Sequence, residues 1–242
     1  MNPILLIPAR MASTRLPGKP LADIGGVPMI VRVWRQAVAA GLGPVVVAAG
    51  EAGIVAAVEA AGGRAVLTDP DLPSGSDRIW AALALADPEG AHDVVVNLQG
   101  DLPALDPGQL QTVAAALKAS GADIATLAAP IDNDADMANP AVVKAVVAWD
   151  AGEKLGQALY FTRAAAPAGD GTLWHHVGLY AYRRDALESF VALPPSPLER
   201  REKLEQLRAL EAGMRIAVAR VDEAPLSVDT QADLERARSL LS

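Results

Sequence analysis

Short, unbroken apolar runs alternate along the first half of the chain with longer stretches whose apolar residues recur at helical spacing. The runs are 3–7 (Pro-Ile-Leu-Leu-Ile), 44–48 (Pro-Val-Val-Val-Ala) and the Val94-Val95-Val96 centre of 92–98. Strands apolar on both faces must be covered on both faces, which is the condition of a parallel sheet flanked by helices. Between them, Met29, Ile30, Val33, Trp34 and Val38 predict a helix ending near Gly41. A second helix is expected over 51–61, closed by Gly62-Gly63, then a strand over 64–67 and a helix over about 77–86. Asp106-Pro107 reads as N-cap and first-turn proline of a helix reaching Ser120. This rhythm predicts an α/β fold.

Past that point the pattern changes to strands in succession, over 123–131, 142–149, 157–161 and 174–182, which predicts a mixed, partly antiparallel region. One charged helix is expected over 198–211, with Leu204, Leu207 and Leu210 as its buried stripe and Gly213 as its end. A strand over 214–221 precedes a last helix, where Thr230 and Asp233 have capping-box-like spacing. No linker separates domains, so 1–242 reads as one domain with a strand-rich extension over about 123–182.

The first strand runs straight into a polar loop from Pro8 to Leu21. In open α/β sheets ligands bind outside the carboxyl ends of the strands, so this loop is placed to meet one. Arg10, Arg15 and Lys19 give residues 1–22 three side-chain cations, and the first acid is Asp23, although the whole chain carries a net charge of -8. Guanidinium forks, an ammonium, the Ser13 and Thr14 hydroxyls and a close-approaching Gly18 backbone suit a polyphosphate. Pro17 and Pro20 stiffen the cradle. The spacing is not that of a GxxxxGK[ST] loop, since Ser13 and Pro20 occupy two of its required positions.

With no cysteine and three histidines, thiolate chemistry is excluded and any metal is expected on oxygen ligands. Asp101 and Asp229 each follow an apolar strand and are expected at the same edge as the cationic loop. Singly, each is as well read as a turn former or helix cap; as a pair facing a polyphosphate they suit Mg²⁺. Net acidity and 4% aromatics argue against nucleic-acid binding. No apolar run approaches the ~20 residues that span a bilayer, and a strand begins within three residues of Met1, so a cytoplasmic protein without membrane attachment is expected. Other polar groups have plain readings by spacing alone. Ser74-Gly75-Ser76-Asp77-Arg78 is an N-capped helix start, His175 and His176 point to opposite faces of a strand, and Arg163, Glu205 and Gln206 lie on the surface.

The run Ile7-Pro8-Ala9-Arg10, with Ala12-Ser13-Thr14-Arg15-Leu16-Pro17-Gly18-Lys19-Pro20-Leu21, resembles the 3-deoxy-manno-octulosonate cytidylyltransferases, the CMP-KDO synthetases. The resemblance continues through Ser74–Arg78, Asn97-Leu98-Gln99-Gly100-Asp101, Ala158–Arg163, His176–Tyr180, Pro195–Glu199, Leu204–Arg208 and Val228-Asp229-Thr230. It implies a three-layer α/β/α, Rossmann-like fold of the nucleotide-diphospho-sugar-transferase type, with a mostly parallel mixed sheet and an antiparallel extension carrying a homodimer surface. It implies activation of KDO by CTP, for lipopolysaccharide synthesis. Arg10, Arg15 and Lys19 would hold the phosphates, with Ala9, Ser13, Ser74, Gly75, Ser76, Arg78 and Gln99 about the rest of the nucleotide. Asp101 and Asp229 would bind Mg²⁺. Gln99, Arg163, His176, Tyr180, Glu205 and Gln206 would receive the sugar acid. An amino-substituted KDO, a sialic acid, or non-catalytic nucleotide-sugar binding are the alternatives. The sequence departs from the family pattern at Ala49-Gly50, where Thr-Asp is usual, at Leu102 (Glu) and at Ala141 (Asn), and the stretch 163–175 is short.

Overall fold

Strand β1 (Pro3–Ala9) lies between β4 (Val45–Ala49) and β6 (Val94–Asn97) in a parallel sheet, and everything that positions the cationic loop follows from that. A computed structural model describes residues 1–13 and 15–241; Thr14, whose hydroxyl is expected in the cradle, lies outside them. The chain forms two compact units, Met1–Gln111 joined by the stretch from Pro225 onward, and Thr112–Ala224.

In the first unit β1 is followed by a short hairpin, β2 (Asp23–Ile24) and β3 (Val27–Pro28), then α1 (Met29–Ala39), β4 (Val45–Ala49) and α2 (Ala52–Ala60). Next come β5 (Arg64–Leu67), α3 (Gly75–Ala86), β6 (Val94–Asn97) and α4 (Pro107–Ser120), which carries the chain into the second unit. The strands are ordered β5-β4-β1-β6, with Ile7 beside Val47 and Leu5 beside Val96. Leu5, Leu6, Ile7, Val46 and Val47 are wholly buried, as continuous apolar runs require. Gly100 sits so close to β1 that a Cβ there would lie 2.8 Å from the Pro8 carbonyl oxygen. Only glycine allows that approach, and it brings Asp101 against the loop after β1.

The second unit contains β7 (Ile124–Pro130), α5 (Asp134–Ala138), β8 (Lys144–Trp149), β9 (Leu155–Thr162) and β10 (Trp174–Arg183). Helices α6 (Arg184–Ala192), α7 (Pro197–Glu202) and α8 (Gln206–Glu211) and strand β11 (Ile216–Arg220) complete it. Strand order is β10-β7-β11-β9-β8, all neighbours antiparallel except β7 with β11. Lys144 of β8 also pairs with His175 of β10, so the circuit closes on itself. The mixed region is therefore as expected, but the single helix over 198–211 is not. Ser196 and Glu199 form a capping box with Pro197 in the first turn, and the helix stops where Lys203 adopts a left-handed φ of 59°, its N–H donating to the Glu199 carbonyl. Leu204 and Leu207 are nonetheless buried, so the apolar stripe continues across the break.

The chain then returns to the first unit with α9 (Gln231–Leu241). Ile24, Met29, Val228, Leu234 and Ala237 form one buried cluster that seats this segment. The Val228 N–H donates to the Asp101 carbonyl at 2.9 Å, which stitches the two acid-bearing loops together.

Candidate active site

The loop after β1 is fixed from several directions. The Gly18 N–H closes onto the Met11 carbonyl at 3.2 Å, and Gly18 itself is left-handed, with φ of 73°. Lys19–Leu21 then make one 3-10 turn. Glu51, just past β4, accepts the Met11 N–H at 2.8 Å. Composition had not singled out Glu51; its place directly after a buried strand is the signal that points to it.

These contacts frame a cavity of about 400 Å³ at the carboxyl edge of the parallel strands. Ala9, Arg10, Ser13, Arg15, Lys19, Ser74, Gly75, Arg78, Gln99, Asp101 and Asp229 all line it, so among the described residues every one expected at the nucleotide and metal is there except Ser76. Ser76 is buried in the first turn of α3. The volume lies within the range of small-molecule sites.

Lys19 is the centre of the charge arrangement. Its Nζ is 2.8 Å from Asp101 Oδ2 and 3.1 Å from Asp229 Oδ1, and Arg15 Nη2 is 3.2 Å from the same Asp229 oxygen. Burial alone would lower the Lys19 pKa; the Asp101 and then Asp229 charges and hydrogen bonds outweigh it, and the ammonium is held above its ordinary value. Asp229 is not the helix cap. Thr230 and Asp233 cap α9 between them, the Thr230 N–H donating to Asp233 at 2.9 Å and the Asp233 N–H to Thr230 at 3.3 Å. The Asp229 carboxylate is left to face the cations.

Two carboxylates converging on one ammonium are a donor set of the kind a divalent cation takes. Among the described residues no group of three or more His, Cys, Asp or Glu side chains is placed to hold a metal. A pair completed by water and phosphate oxygens fits Mg²⁺, which needs only one or two protein carboxylates.

Arg78 is almost wholly buried. It donates through Nη1 to Thr68 Oγ1 at 2.7 Å and to the Asp69 carbonyl at 3.0 Å, and through Nη2 to the Pro70 carbonyl at 3.1 Å. Burial first, and Arg10 second, lower its pKa. At the Gly50 departure a Cβ would lie 3.1 Å from Arg78 Nη1 and 3.3 Å from Arg10 Cβ, a tight fit that those side chains would have to relieve by a few tenths of an ångström. Leu102, another departure, directly after Asp101, is buried.

Within the second unit, four of the residues expected at the sugar acid come together. His176 is buried; its Nε2 is 3.0 Å from Thr126 Oγ1 and its Nδ1 is 3.5 Å from Gln206 Nε2. The Thr126 hydroxyl also lies 3.1 Å from the Val177 carbonyl and 2.9 Å from the Leu179 carbonyl. Carbonyls only accept, so the single hydroxyl proton goes to them and Thr126 accepts the His176 Nε2–H. His176 is thus a neutral imidazole with Nδ1 open to the Gln206 amide. Burial, with a smaller contribution from His175, lowers its pKa to about 3. Tyr180, whose ring is 5.5 Å from that of His176, is pushed well above the ordinary phenol value by burial, then by Tyr182 and Glu205. Arg163 does not extend into solvent. Its Nε donates to the Glu202 carbonyl at 2.7 Å, Nη1 to Pro140 at 3.0 Å and Nη2 to Lys203 at 3.3 Å.

The chain matches the cytidylyltransferase family over residues 4–216. It is 66% identical to the 3-deoxy-manno-octulosonate cytidylyltransferase of Parvibaculum lavamentivorans over 241 residues, covering 100% of this chain and 93% of that protein. The protein of the same name from Paramagnetospirillum magneticum is 62% identical, with 100% and 98% covered. The chain belongs to the 3-deoxy-manno-octulosonate cytidylyltransferase family. Among solved structures, a CMP:2-keto-3-deoxy-manno-octonic acid synthetase complexed with CTP superposes with a TM-score of 0.90 at 38% identity, covering 99% of this chain and 98% of that one. A nucleotidyl transferase from Methanothermobacter thermautotroptrophicus, with a TM-score of 0.63 and 17% identity, shares the fold. Family membership makes the chain a nucleotidyltransferase of α/β fold. No helix among the described residues is long and apolar enough to cross a membrane.

Proposed function

We propose that this protein activates 3-deoxy-manno-octulosonate (KDO) with CTP, forming CMP-KDO and pyrophosphate. The observation that carries the reading is Lys19 suspended between Asp101 and Asp229, in a cavity that Arg10 and Arg15 also line. The reaction is attack of the sugar acid's anomeric hydroxyl on the α-phosphorus of CTP, with the bond to pyrophosphate breaking in line. A triphosphate brings about four negative charges and the sugar acid another, so positioning and charge neutralisation are the main tasks. Arg10, Arg15 and Lys19 bind the phosphates and stabilise the leaving pyrophosphate. Asp101 and Asp229 are the residues that would hold Mg²⁺. When bound, that ion supplies Lewis-acid polarisation of phosphoryl oxygens and neutralises charge. Gln99, Arg163, His176, Tyr180, Glu205 and Gln206 are assigned to the sugar acid. Neutral His176 orients as donor and acceptor and does not act as a base, since burial lowers its pKa to about 3. A homodimer joined through the second unit is part of the same proposal, checked by light scattering.

The test is pyrophosphate release in the presence of Mg²⁺, scanning CTP, UTP and ATP against KDO, 8-amino-KDO and a sialic acid. Release with CTP and KDO above all other pairs supports the proposal. Preference for another acid reassigns the substrate, and no release with any pair overturns the reading.

A further inference from the structure

Glu199 and Arg208 stand in two sequence motifs, Pro195–Glu199 and Leu204–Arg208, and the chemistry above uses neither. They form a two-pronged ion pair, Arg208 Nε to Glu199 Oε2 at 2.8 Å and Nη2 to Oε1 at 2.6 Å, with side chains only 9% and 14% exposed. The same Glu199 Oε2 accepts the Ser196 N–H at 3.0 Å, and Arg208 Nη1 donates to the Leu193 carbonyl at 3.0 Å.

The pair is incompatible with an unbroken helix. Nine residues apart, Glu199 and Arg208 would sit about 13.5 Å apart along a straight helix and on opposite faces of it. They meet only because the chain turns left-handed at Lys203 between α7 and α8. From the other side Glu202 ties the break to β9, its carboxylate accepting from Thr162 Oγ1 at 2.9 Å and the Arg163 N–H at 3.0 Å. Three residues past the break stands Gln206, whose Nε2 lies 3.5 Å from His176 Nδ1.

We propose that the Glu199–Arg208 pair is a positioning device: by clipping α7 to α8 across the Lys203 break it aims Gln206 at His176, and so sets affinity for the sugar acid without touching it. The kinetic part of this rests on the CTP–KDO reading. Arg208→Met keeps the side-chain length and removes the clip, Arg208→Lys keeps the charge without the fork, and Glu199→Gln removes the other partner. In steady-state assays with each substrate varied in turn, Arg208→Met should raise the KM for KDO about tenfold or more and leave the KM for CTP within about twofold. Arg208→Lys should recover part of the loss. The double variant should be no worse than the poorer single, because the pair acts as a unit. A second readout needs no substrate: in ¹⁵N NMR, the Nδ1 resonance of His176 should move downfield in Arg208→Met as the Gln206 donor withdraws. An unmoved His176 Nδ1 resonance overturns the inference, as does an equal rise in both KM values in folded Arg208→Lys. If the native enzyme does not turn over KDO, the functional reading fails instead, and the NMR result still decides the positioning role.

Discussion

His176 is held in a form that acid should attack. Its Nε2–H donates to Thr126 and its Nδ1 faces the Gln206 amide donor, so a second ring proton is opposed there, and burial holds the pKa at about 3. An unfolded histidine titrates near 6.5, so between these values the unfolded chain binds a proton that the native state refuses. The contribution of His176 to stability is therefore complete above about pH 6.5 and is lost as pH falls toward 3. Each unit costs about 1.4 kcal/mol, so the full window amounts to some 4–5 kcal/mol, a large part of a typical domain stability of about 5–15 kcal/mol. His176→Gln retains hydrogen-bonding capacity without the titration. The assay is urea unfolding from pH 7.5 down to 4.5, comparing midpoints. The variant should lose stability near neutrality and close the gap on the native protein as pH falls, approaching or crossing it by pH 4.5. Parallel pH profiles for the two proteins, or a His176 resonance titrating near 6.5, would refute the reasoning.

Asp101→Asn and Asp229→Asn should each lower kcat by two orders of magnitude or more, roughly the several kcal/mol a catalytic cation contributes, while far-UV circular dichroism stays native; chelation of divalent cations should do the same to the unmodified protein. Lys19→Arg should leave kcat well below native, because a planar fork cannot take the place of a compact ammonium 2.8 and 3.1 Å from two carboxylates; full activity would contradict the tight cradle. Arg163→Ala should raise the KM for the sugar acid far more than that for CTP, on the order of tenfold or above. It should also lower Tm, since three backbone carbonyls lose a donor.

The clustering of the cations and carboxylates in one cavity was legible because most of it is local. Arg10, Arg15 and Lys19 fall in one loop after one apolar strand, and parallel pairing brings the ends of β1 and β6 to the same edge, so Asp101 follows. Asp229 needed more, since spacing left a helix cap open. The resolution lies in Thr230 and Asp233 taking the capping role. The helix break at Lys203 carried no sequence mark, because a lysine rather than a glycine or asparagine takes the left-handed conformation and the leucine stripe runs on through it. Missing the break hid the Glu199–Arg208 pair, which a continuous helix forbids. Helices α5 and α6 were also unread, being short and placed beside strands. Arg163 was read as a solvent-facing cation by position, and its three carbonyl partners come from distant segments that no spacing rule connects. Gly50 looked like a departure from pattern; the crowding of Arg10 and Arg78 around it is visible only in three dimensions.

In the proposed reaction, CMP passes to the sugar acid in one event coupled to pyrophosphate release. ³¹P NMR of the protein with Mg²⁺, CTP and KDO follows every phosphorus at once. CTP signals should decline only when KDO is present, replaced in equal amounts by pyrophosphate and a single new phosphodiester resonance that Asp101→Asn fails to produce. CTP consumption without KDO, or loss of CTP with CDP and orthophosphate as products, would contradict it.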